Sequence, residues 1–376
     1  MDALTDCFEA WRVVRAGGRE VVEGLVTSRH RGPSPELRSA LAAWPHAYYW
    51  ADRAHEELIL VRPLDRPRRE AWWLHVTLFM VTALCALGAG AALQGTYTPQ
   101  PDPGLLGLLR ASLRFFPEFL QQPPAVLWSG WQFALPLLTI LLVHELGHFF
   151  AARRYGIDVS PPFFLPIPAT VSPIGSLGAF LRLRSPVVDR RQLVDVGAAG
   201  PLAGFAVVLL VLAWGYASSP LREAPGPGVH TFIALGGVDF PLGDSLLTRL
   251  FRHLFLPGPG AVHLSLGAFA GWAGALITGL NLLPLSQLDG GHVAYGLLGR
   301  KQIPAGLAAL LGLAFLAEWW SGWLFWVLVT LAAGGWRWTH PSVLCPDRPV
   351  PPDRRVIGWL CMLVFVVTFV PVPFGP

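Results

Sequence analysis

Long apolar runs separated by short polar connections dominate most of the chain. Runs close to bilayer length cover 72–93, 126–152, 193–216 and 264–283, and a last run covers 356–370. A helix of about 20 apolar residues is long enough to cross the hydrocarbon core of a membrane. The pattern predicts an all-α polytopic membrane protein with about six to seven transmembrane helices.

Two shorter apolar runs cover 304–316 and 323–333, with a polar interruption at 318–322. Each run alone is short for a transmembrane helix. They fit either a tight helical hairpin or one bent element, and the pattern leaves both open.

The first 66 residues have a different pattern, because they are charged and interrupted by proline. Residues 36–43 have a helical pattern, and 48–50 and 57–61 resemble short strands. We predict a small α+β segment on the cytosolic side, over 1–66. The membrane domain then covers 67–376, and no motif in the N-terminal segment assigns it a role.

A segment rich in proline and glycine follows the second apolar run, at 161–180. Its five prolines exclude a regular helix. We expect it to form a re-entrant loop that dips into the cytoplasmic membrane surface and lines a wet cavity, with residues 177–183 as an exposed strand. A passive plug in the membrane is the alternative.

Composition supports the membrane assignment. Hydrophobic residues make up 53% of the chain and charged residues only 14%, against about 25% charged in ordinary soluble domains. The net charge of +4 does not indicate nucleic-acid binding, because the arginines cluster at the ends of the apolar runs. Cys85 and Cys361 lie in apolar runs, so we expect packed thiols there and no disulfide.

The basic residues also predict an orientation. Clusters at alternate ends of the runs fall on one side of the membrane, while the opposite connections, 95–125 and 217–262, hold few basic residues. Positive charge is retained in the cytoplasm, so we predict a bacterial inner-membrane protein whose basic side is cytoplasmic. The clusters include Arg153 and Arg154, Arg190 and Arg191, Arg300 and Lys301, and Arg354 and Arg355.

The second run contains the motif HELGH, from His144 to His148. Two histidines at i and i+4 share one helix face, which is zinc-ligand spacing, and Glu145 lies beside them as a candidate general base. Such a short motif also arises by chance. The surrounding helix is apolar all round, however, and ionisable residues in a membrane helix usually mark a functional site.

A catalytic zinc site needs a third protein ligand and an open position. Asp289 is the best candidate, because it lies in NLLPLSQLDGGH, where proline and glycines break the helix at membrane depth. His292 could be a ligand but suits a cavity-lining position better. Asp195 lies near an arginine-rich end and suits a salt bridge, and Glu318 falls at the opposite membrane face.

Together, HELGH and N-x-x-P-x-x-x-L-D-G resemble the paired motifs of the site-2 protease family of intramembrane zinc metalloproteases. GSLGAF and GAAGPLAG lie between the two motifs in the same order. The sequence is most similar to the bacterial and plastid branch that includes the plant ethylene-dependent gravitropism-deficient proteins. The resemblance covers roughly residues 126–300, the expected catalytic core.

The resemblance implies one Zn²⁺ per chain, held by His144, His148 and Asp289, with Glu145 as catalytic base. It implies that Asn281 binds the substrate backbone or the oxyanion. The substrate would be a single-span membrane protein in the lipid bilayer, cut in or near its transmembrane segment during regulated intramembrane proteolysis. An exposed strand would hold it by strand addition. The expected substrate-binding positions are Gly175, Ser176, Leu177 and Gly178.

Other functions stay open at this point. The chain could be an inactive protease-like chaperone or a metal-binding membrane protein such as a transporter. The intact Glu145 argues against inactivity, and a transporter would be expected to repeat its polar site in a second half. A membrane-anchored protease of soluble segments would carry its motif on an amphipathic helix. No PDZ-like insertion and no pair of cystathionine-synthase-type domains is apparent, so 1–66 is the candidate for regulation.

Overall fold

The computed structural model describes most of the chain. The predicted boundary between the N-terminal segment and the membrane domain, at 66–67, lies outside the described residues. The residues left out are 1–3, 5, 17–18, 31, 33, 52–53, 64–69, 101–103, 185–186, 334–335, 337, 341–342, 344–345, 347 and 376.

The described residues of the N-terminal segment include an antiparallel four-stranded sheet and the helix Pro35–Ala42. The predicted helix and the two short strands are present, but a long first hairpin was not predicted. Ser34 begins the helix, since its hydroxyl accepts a hydrogen bond from the backbone N–H of Leu37. The strand order is β1-β2-β4-β3. The elements are β1 (Phe8–Ala16), β2 (Arg19–Val26), α1 (Pro35–Ala42), β3 (Tyr48–Trp50) and β4 (Glu57–Pro63).

Within the described part of the chain, three helices are long and apolar enough to cross a membrane: α2 (Trp72–Leu93), α5 (Trp131–Arg154) and α6 (Arg190–Ala217). The prediction of one continuous element over 126–152 is wrong. A short helix, α4 (Pro124–Ser129), ends at Gly130 before α5 begins. A side chain at Gly130 would overlap the backbone of α2, so the glycine lets the chain turn where the two helices meet.

Shorter helices complete the membrane domain: α8 (Leu266–Asn281), α9 (Asp289–Leu298), α10 (Gln302–Leu316), α11 (Gly322–Ala333) and α12 (Pro352–Thr368). Helices α10 and α11 are separate and pack against each other. The interrupted run is therefore a helical hairpin. The helix in the fourth predicted run has 16 residues.

The two connections on the arginine-poor side contain regular structure, whereas the sequence suggested only loops. The first contains α3 (Gly104–Leu120), an amphipathic helix that buries Phe115 and Phe119 and exposes Leu113. The second contains helix α7 (Leu246–Phe255) and a sheet of order β7-β10-β8-β9. The strands of that sheet are β7 (Leu221–Arg222), β8 (Thr231–Leu235), β9 (Val238–Leu242) and β10 (Ala261–His263).

The segment rich in proline and glycine is a β-hairpin of β5 (Phe163–Pro166) and β6 (Ser176–Phe180), as its prolines required. It lies along α2. Near the start of α2, Nδ1 of His75 lies 3.0 Å from the carbonyl oxygen of Pro162. Farther along, a side chain at Gly175 would overlap the backbone of Ala86.

An ion pair fixes the base of this hairpin. Arg184 donates hydrogen bonds to both carboxylate oxygens of Glu70, just before α2, and the second is 3.0 Å long. These bonds hold the pKa of Glu70 below its ordinary value. The hairpin is therefore tied to the helix beside it at both ends.

Helices α5, α6 and α8 pack together at the centre of the membrane domain. Small residues allow the contact, since a side chain at Gly274 would crowd Ile140 and Val208. Aromatic packing also joins α5 to α8, with the rings of Phe133 and Phe269 stacked 5.5 Å apart. This contact places the HELGH helix beside α8, which ends at the candidate site residue Asn281.

Candidate active site

Three candidate ligands converge at one point. Nε2 of His144 lies 3.1 Å from Oδ2 of Asp289, and Nε2 of His148 lies 3.2 Å from Oδ1. The two Nε2 atoms are 3.2 Å apart. One potential ligand atom from each residue lies within 4.8 Å of the others. Two imidazoles and one carboxylate form a donor set that fits zinc, with room for a fourth ligand.

Helix geometry explains this convergence. His144 and His148 share one face of α5, one turn apart. Asp289 is the first residue of α9, immediately after the broken connection from α8. Nδ1 of His148 lies 2.7 Å from the carbonyl oxygen of Val196 on α6. That nitrogen must donate, so the opposite nitrogen is left free to bind a metal.

The run GAAGPLAG on α6 makes room for these side chains. A side chain at Gly200 would overlap the ring of His148, and a Cβ at Gly204 would lie 3.0 Å from Cβ of His144. A Cβ at Gly197 would lie 2.8 Å from Cβ of His292. These glycines therefore let α6 pass directly behind the metal ligands.

A cavity of about 340 Å³ opens onto this cluster. Glu145 lies in its lining and is buried, at 4% exposed. Asn281, the last residue of α8, also lines the cavity, as does His292. The structure thus brings together all five polar residues that the two motifs suggested for the chemistry. The other lining residues are Ala179, Phe180, Leu181, Arg182, Leu183, Val196, Gln287 and Leu288.

The two competing acidic residues lie outside that lining. Asp195 pairs with Arg354 at 2.8 Å and accepts a hydrogen bond from the hydroxyl of Tyr155. It therefore forms the salt bridge that its position suggested. Glu318 lies between α10 and α11 and is exposed.

His340 is a site neighbour that sequence reasoning missed. Its Nε2 lies 2.6 Å from Nδ1 of His292, and its ring stacks on Tyr295 at 4.9 Å. Gln302 accepts a hydrogen bond of 3.2 Å from the backbone N–H of His340. A lone histidine in the connection before α12 carries no motif, so nothing in the sequence indicated this placement.

The four expected substrate-binding positions lie just beyond the cavity. Gly175 packs against α2, and the hydroxyl of Ser176 accepts a hydrogen bond of 3.0 Å from the N–H of Gly178. Leu177 is 57% exposed. The cavity lining instead begins at Ala179 and continues to Leu183. The strand therefore approaches the metal ligands with its later residues, whereas positions 175–178 form its far end.

The part of the chain that contains this site matches a known protein family. Residues 132–317 match Peptidase family M50. The matched segment is therefore a Peptidase M50 (site-2 protease) domain, and the long apolar helices are those of an integral membrane protein.

Its relatives include plant proteins. The chain is 33% identical to "Probable zinc metalloprotease EGY2, chloroplastic" of Arabidopsis thaliana over 66% of this chain and 43% of that protein. It is 35% identical to the EGY2 protein of Oryza sativa subsp. indica, over 49% of this chain and 32% of that protein. The Arabidopsis protein "Probable zinc metalloprotease EGY1, chloroplastic" is 35% identical over 45% of this chain and 31% of its own length. The chain spans less than half of each. These names place the relatives in the chloroplast and do not point to a bacterial inner membrane.

Proposed function

We propose that this chain is an intramembrane zinc metalloprotease that hydrolyses a peptide bond in or near a transmembrane segment of a membrane protein. The observation that carries the proposal is the convergence of His144, His148 and Asp289 beside the buried Glu145, inside an apolar helix bundle. The family match and the names of the relatives support the same reaction and the same metal.

The chemistry can be assigned to residues that face the cavity. Zinc, when held by the two histidines and Asp289, would polarise the scissile carbonyl and acidify the attacking water. Glu145 takes the proton from that water and passes it to the leaving amine. Asn281 donates its side-chain amide to the carbonyl oxygen as negative charge develops there. Burial of Glu145 keeps bulk water from competing for this proton.

We further propose that seven helices cross the membrane: α2, α5, α6, α8, α10, α11 and α12. The β5–β6 hairpin would then be a re-entrant element, supported by its contacts along α2 from His75 to Ala86. These residues are 11 positions apart, which corresponds to about 16 Å along a helix. The hairpin would expose polar backbone at membrane depth where it borders the wet cavity.

The N-terminal segment would lie in the cytosol, against the arginine-rich face. The Arg348 guanidinium lies 3.2 Å from Asp189 and donates to the carbonyl oxygen of Trp50 at 3.1 Å. Val188, just before α6, packs against Val21 and Ile59 of the sheet. These contacts support the segment as a cytosolic unit on the domain that holds the site. They make it a candidate for regulation.

Cysteine labelling tests the orientation. Arg154→Cys and Arg300→Cys should react from the cytosolic side, and Glu223→Cys from the other, because positive charge is retained in the cytoplasm. All three positions are exposed. The described native cysteines are buried, so background should be low. The reverse labelling pattern would overturn the proposed orientation.

The edge of β6 offers a way to bind an unfolded substrate segment. Among the described strands, β6 pairs only with β5, so its second edge has no strand partner. A substrate strand could add there and lie across the cavity mouth. A membrane helix hides its carbonyls in i to i−4 hydrogen bonds. Opening one turn in lipid leaves backbone polar groups without hydrogen-bond partners, and each such group costs several kcal/mol of free energy.

The substrate should therefore contain helix-destabilising residues near its cytosolic end. Affinity purification of Glu145→Gln should trap a small single-span membrane protein. Replacing the Gly, Pro or Asn residues of its span with leucine should slow cleavage by the wild type, because the helix then opens less readily. Equal cleavage of the all-leucine version would contradict the unwinding mechanism. A trap that held only soluble proteins would favour a membrane-anchored protease of soluble segments.

A further inference from the structure

A second, apolar cavity lies beside the far end of β6. It has a volume of about 130 Å³. Leu177 lines it from β6, and Ile277 and Leu280 line it from α8. We call this cavity the tryptophan groove, because its remaining wall is mainly aromatic. That wall includes Trp320, Trp326 and Phe374.

The wall of the tryptophan groove is held in place by a buried anchor. Trp323 is fully buried, and its indole N–H donates a hydrogen bond of 2.7 Å to the carbonyl oxygen of Pro371. The ring of Trp320 packs edge-on against Trp323 at 5.2 Å and also contacts Phe374 at 5.8 Å. A groove built on fixed aromatic rings keeps its shape and can select an occupant by size.

The tryptophan groove and the active-site cavity are both lined by residues of β6 and α8. Strand β6 contributes Leu177 to the groove, and its last residues, Ala179 and Phe180, to the active-site cavity. Helix α8 contributes Leu280 to the groove, and the next residue, Asn281, to the active-site cavity. A segment extended along β6 would therefore pass both sites.

We propose that the tryptophan groove is a specificity subsite that takes one large apolar side chain of the substrate span. The active-site lining that follows β6 runs from Ala179 to Leu183, and its midpoint lies four residues beyond Leu177. Extended chains advance about 3.3 Å per residue, so the selected side chain lies about four residues from the scissile bond, on its membrane side. This inference rests on the proposed proteolytic function and identifies what that site would prefer in its substrate.

The size of the groove favours a single side chain over a lipid tail. A dry apolar cavity of about 150 Å³ holds one benzene molecule, and this groove is slightly smaller. A leucine or phenylalanine side chain fits that volume, whereas a full acyl chain does not. The groove also lies at the end of β6 that is farther from the active-site cavity. The membrane-embedded part of a bound segment would lie at that end.

A cleavage assay with a peptide series tests the subsite. The probe is a synthetic membrane peptide with an apolar span of about 20 residues, a Gly–Pro break at its cytosolic end, and Ala, Leu, Phe or Asp placed in turn at each span position. Wild type should cut the Phe or Leu peptide about tenfold faster than the Ala peptide at one position, about four residues from the cut. Asp there should be cut slowest.

Two variants should each reduce that preference, one by enlarging the groove and the other by filling it. Trp326→Ala enlarges the groove and should weaken the preference for Leu over Ala, whereas Leu177→Trp fills the groove and should abolish the preference for Phe. Phe325→Ala is the matched control, since Phe325 neighbours Trp326 but is exposed and outside the groove lining. It should keep the wild-type ratio of cleavage rates.

Photo-crosslinking separates the subsite from catalysis. The Glu145→Gln protein is mixed with the same peptide carrying photoleucine, a diazirine analogue of leucine, at the selected position, and adducts are mapped by mass spectrometry. Adducts on Trp326 or Ile277 without cleavage by wild type would support the proposed subsite and contradict the proposed protease activity. Cleavage without a positional preference, with adducts elsewhere, would reject the subsite alone. Neither cleavage nor adducts in the groove would reject both.

Discussion

The Glu145→Gln variant should bind about one zinc per chain and lose proteolytic activity, by about 10²- to 10⁴-fold. The substitution keeps the size of the side chain but removes the group that accepts the proton from water. Glu145 lines the cavity without belonging to the cluster of three ligand groups. Metal analysis of purified protein, beside a cleavage assay on the same preparation, measures both effects.

The ligand variants are the controls for that result. His144→Ala, His148→Ala and Asp289→Asn should each lose metal and activity together, because each removes one of three donors within 4.8 Å of one another. Catalysis and metal binding would then separate only at Glu145. Full zinc occupancy in Asp289→Asn would remove Asp289 from the ligand set.

Gly200→Ala should lower zinc affinity by at least about tenfold without changing any ligand, the scale seen when a group that orients a ligand is lost. The added methyl group would overlap the imidazole of His148. The ring would then have to leave the position fixed by its 2.7 Å contact with the carbonyl oxygen of Val196. Zinc titration with a competing chelator measures the loss.

Gly312→Ala is the matched control for this substitution. Gly312 is in α10, and a Cβ there would meet no described atom within 4 Å. It should bind zinc like the wild type, since alanine is also the better helix former. Gly204→Ala should fall between the two, because its Cβ would lie 3.0 Å from Cβ of His144. Wild-type affinity in Gly200→Ala would mean that α6 does not constrain His148.

Sequence reasoning located the site because its parts obey local rules. Two histidines on one helix face are set by the i, i+4 period, and Pro284 lies in the broken connection that ends at Asp289. The predicted break at Gly290 and Gly291 is wrong, because both lie inside α9. The five prolines before β6 excluded a helix, but they did not predict the pairing of β5 with β6. In each case a few residues that are close in sequence determine the local backbone conformation.

Features that depend on distant contacts were not predictable in this way. His340 reaches His292 across 48 positions of sequence. The break at Gly130 depends on close contact with α2, which the apolar pattern does not encode. The active-site lining begins at Ala179, beyond the four expected binding positions, because the depth of the hairpin is set by its packing along α2. The strands between α6 and α8 lack a clear alternation of apolar and polar residues, so the sequence pattern does not predict them.

The most direct test of the central claim is the mass of the products formed from a single-span membrane peptide. Wild-type protein and Glu145→Gln are each reconstituted with zinc in lipid vesicles that contain the peptide, and the products are identified by mass spectrometry. The account predicts that the wild type cuts one bond in or near the cytosolic end of the span and so forms two fragments. It predicts intact peptide from Glu145→Gln. Equal cleavage by both proteins, or zinc-loaded wild type that leaves every such peptide intact, would contradict it.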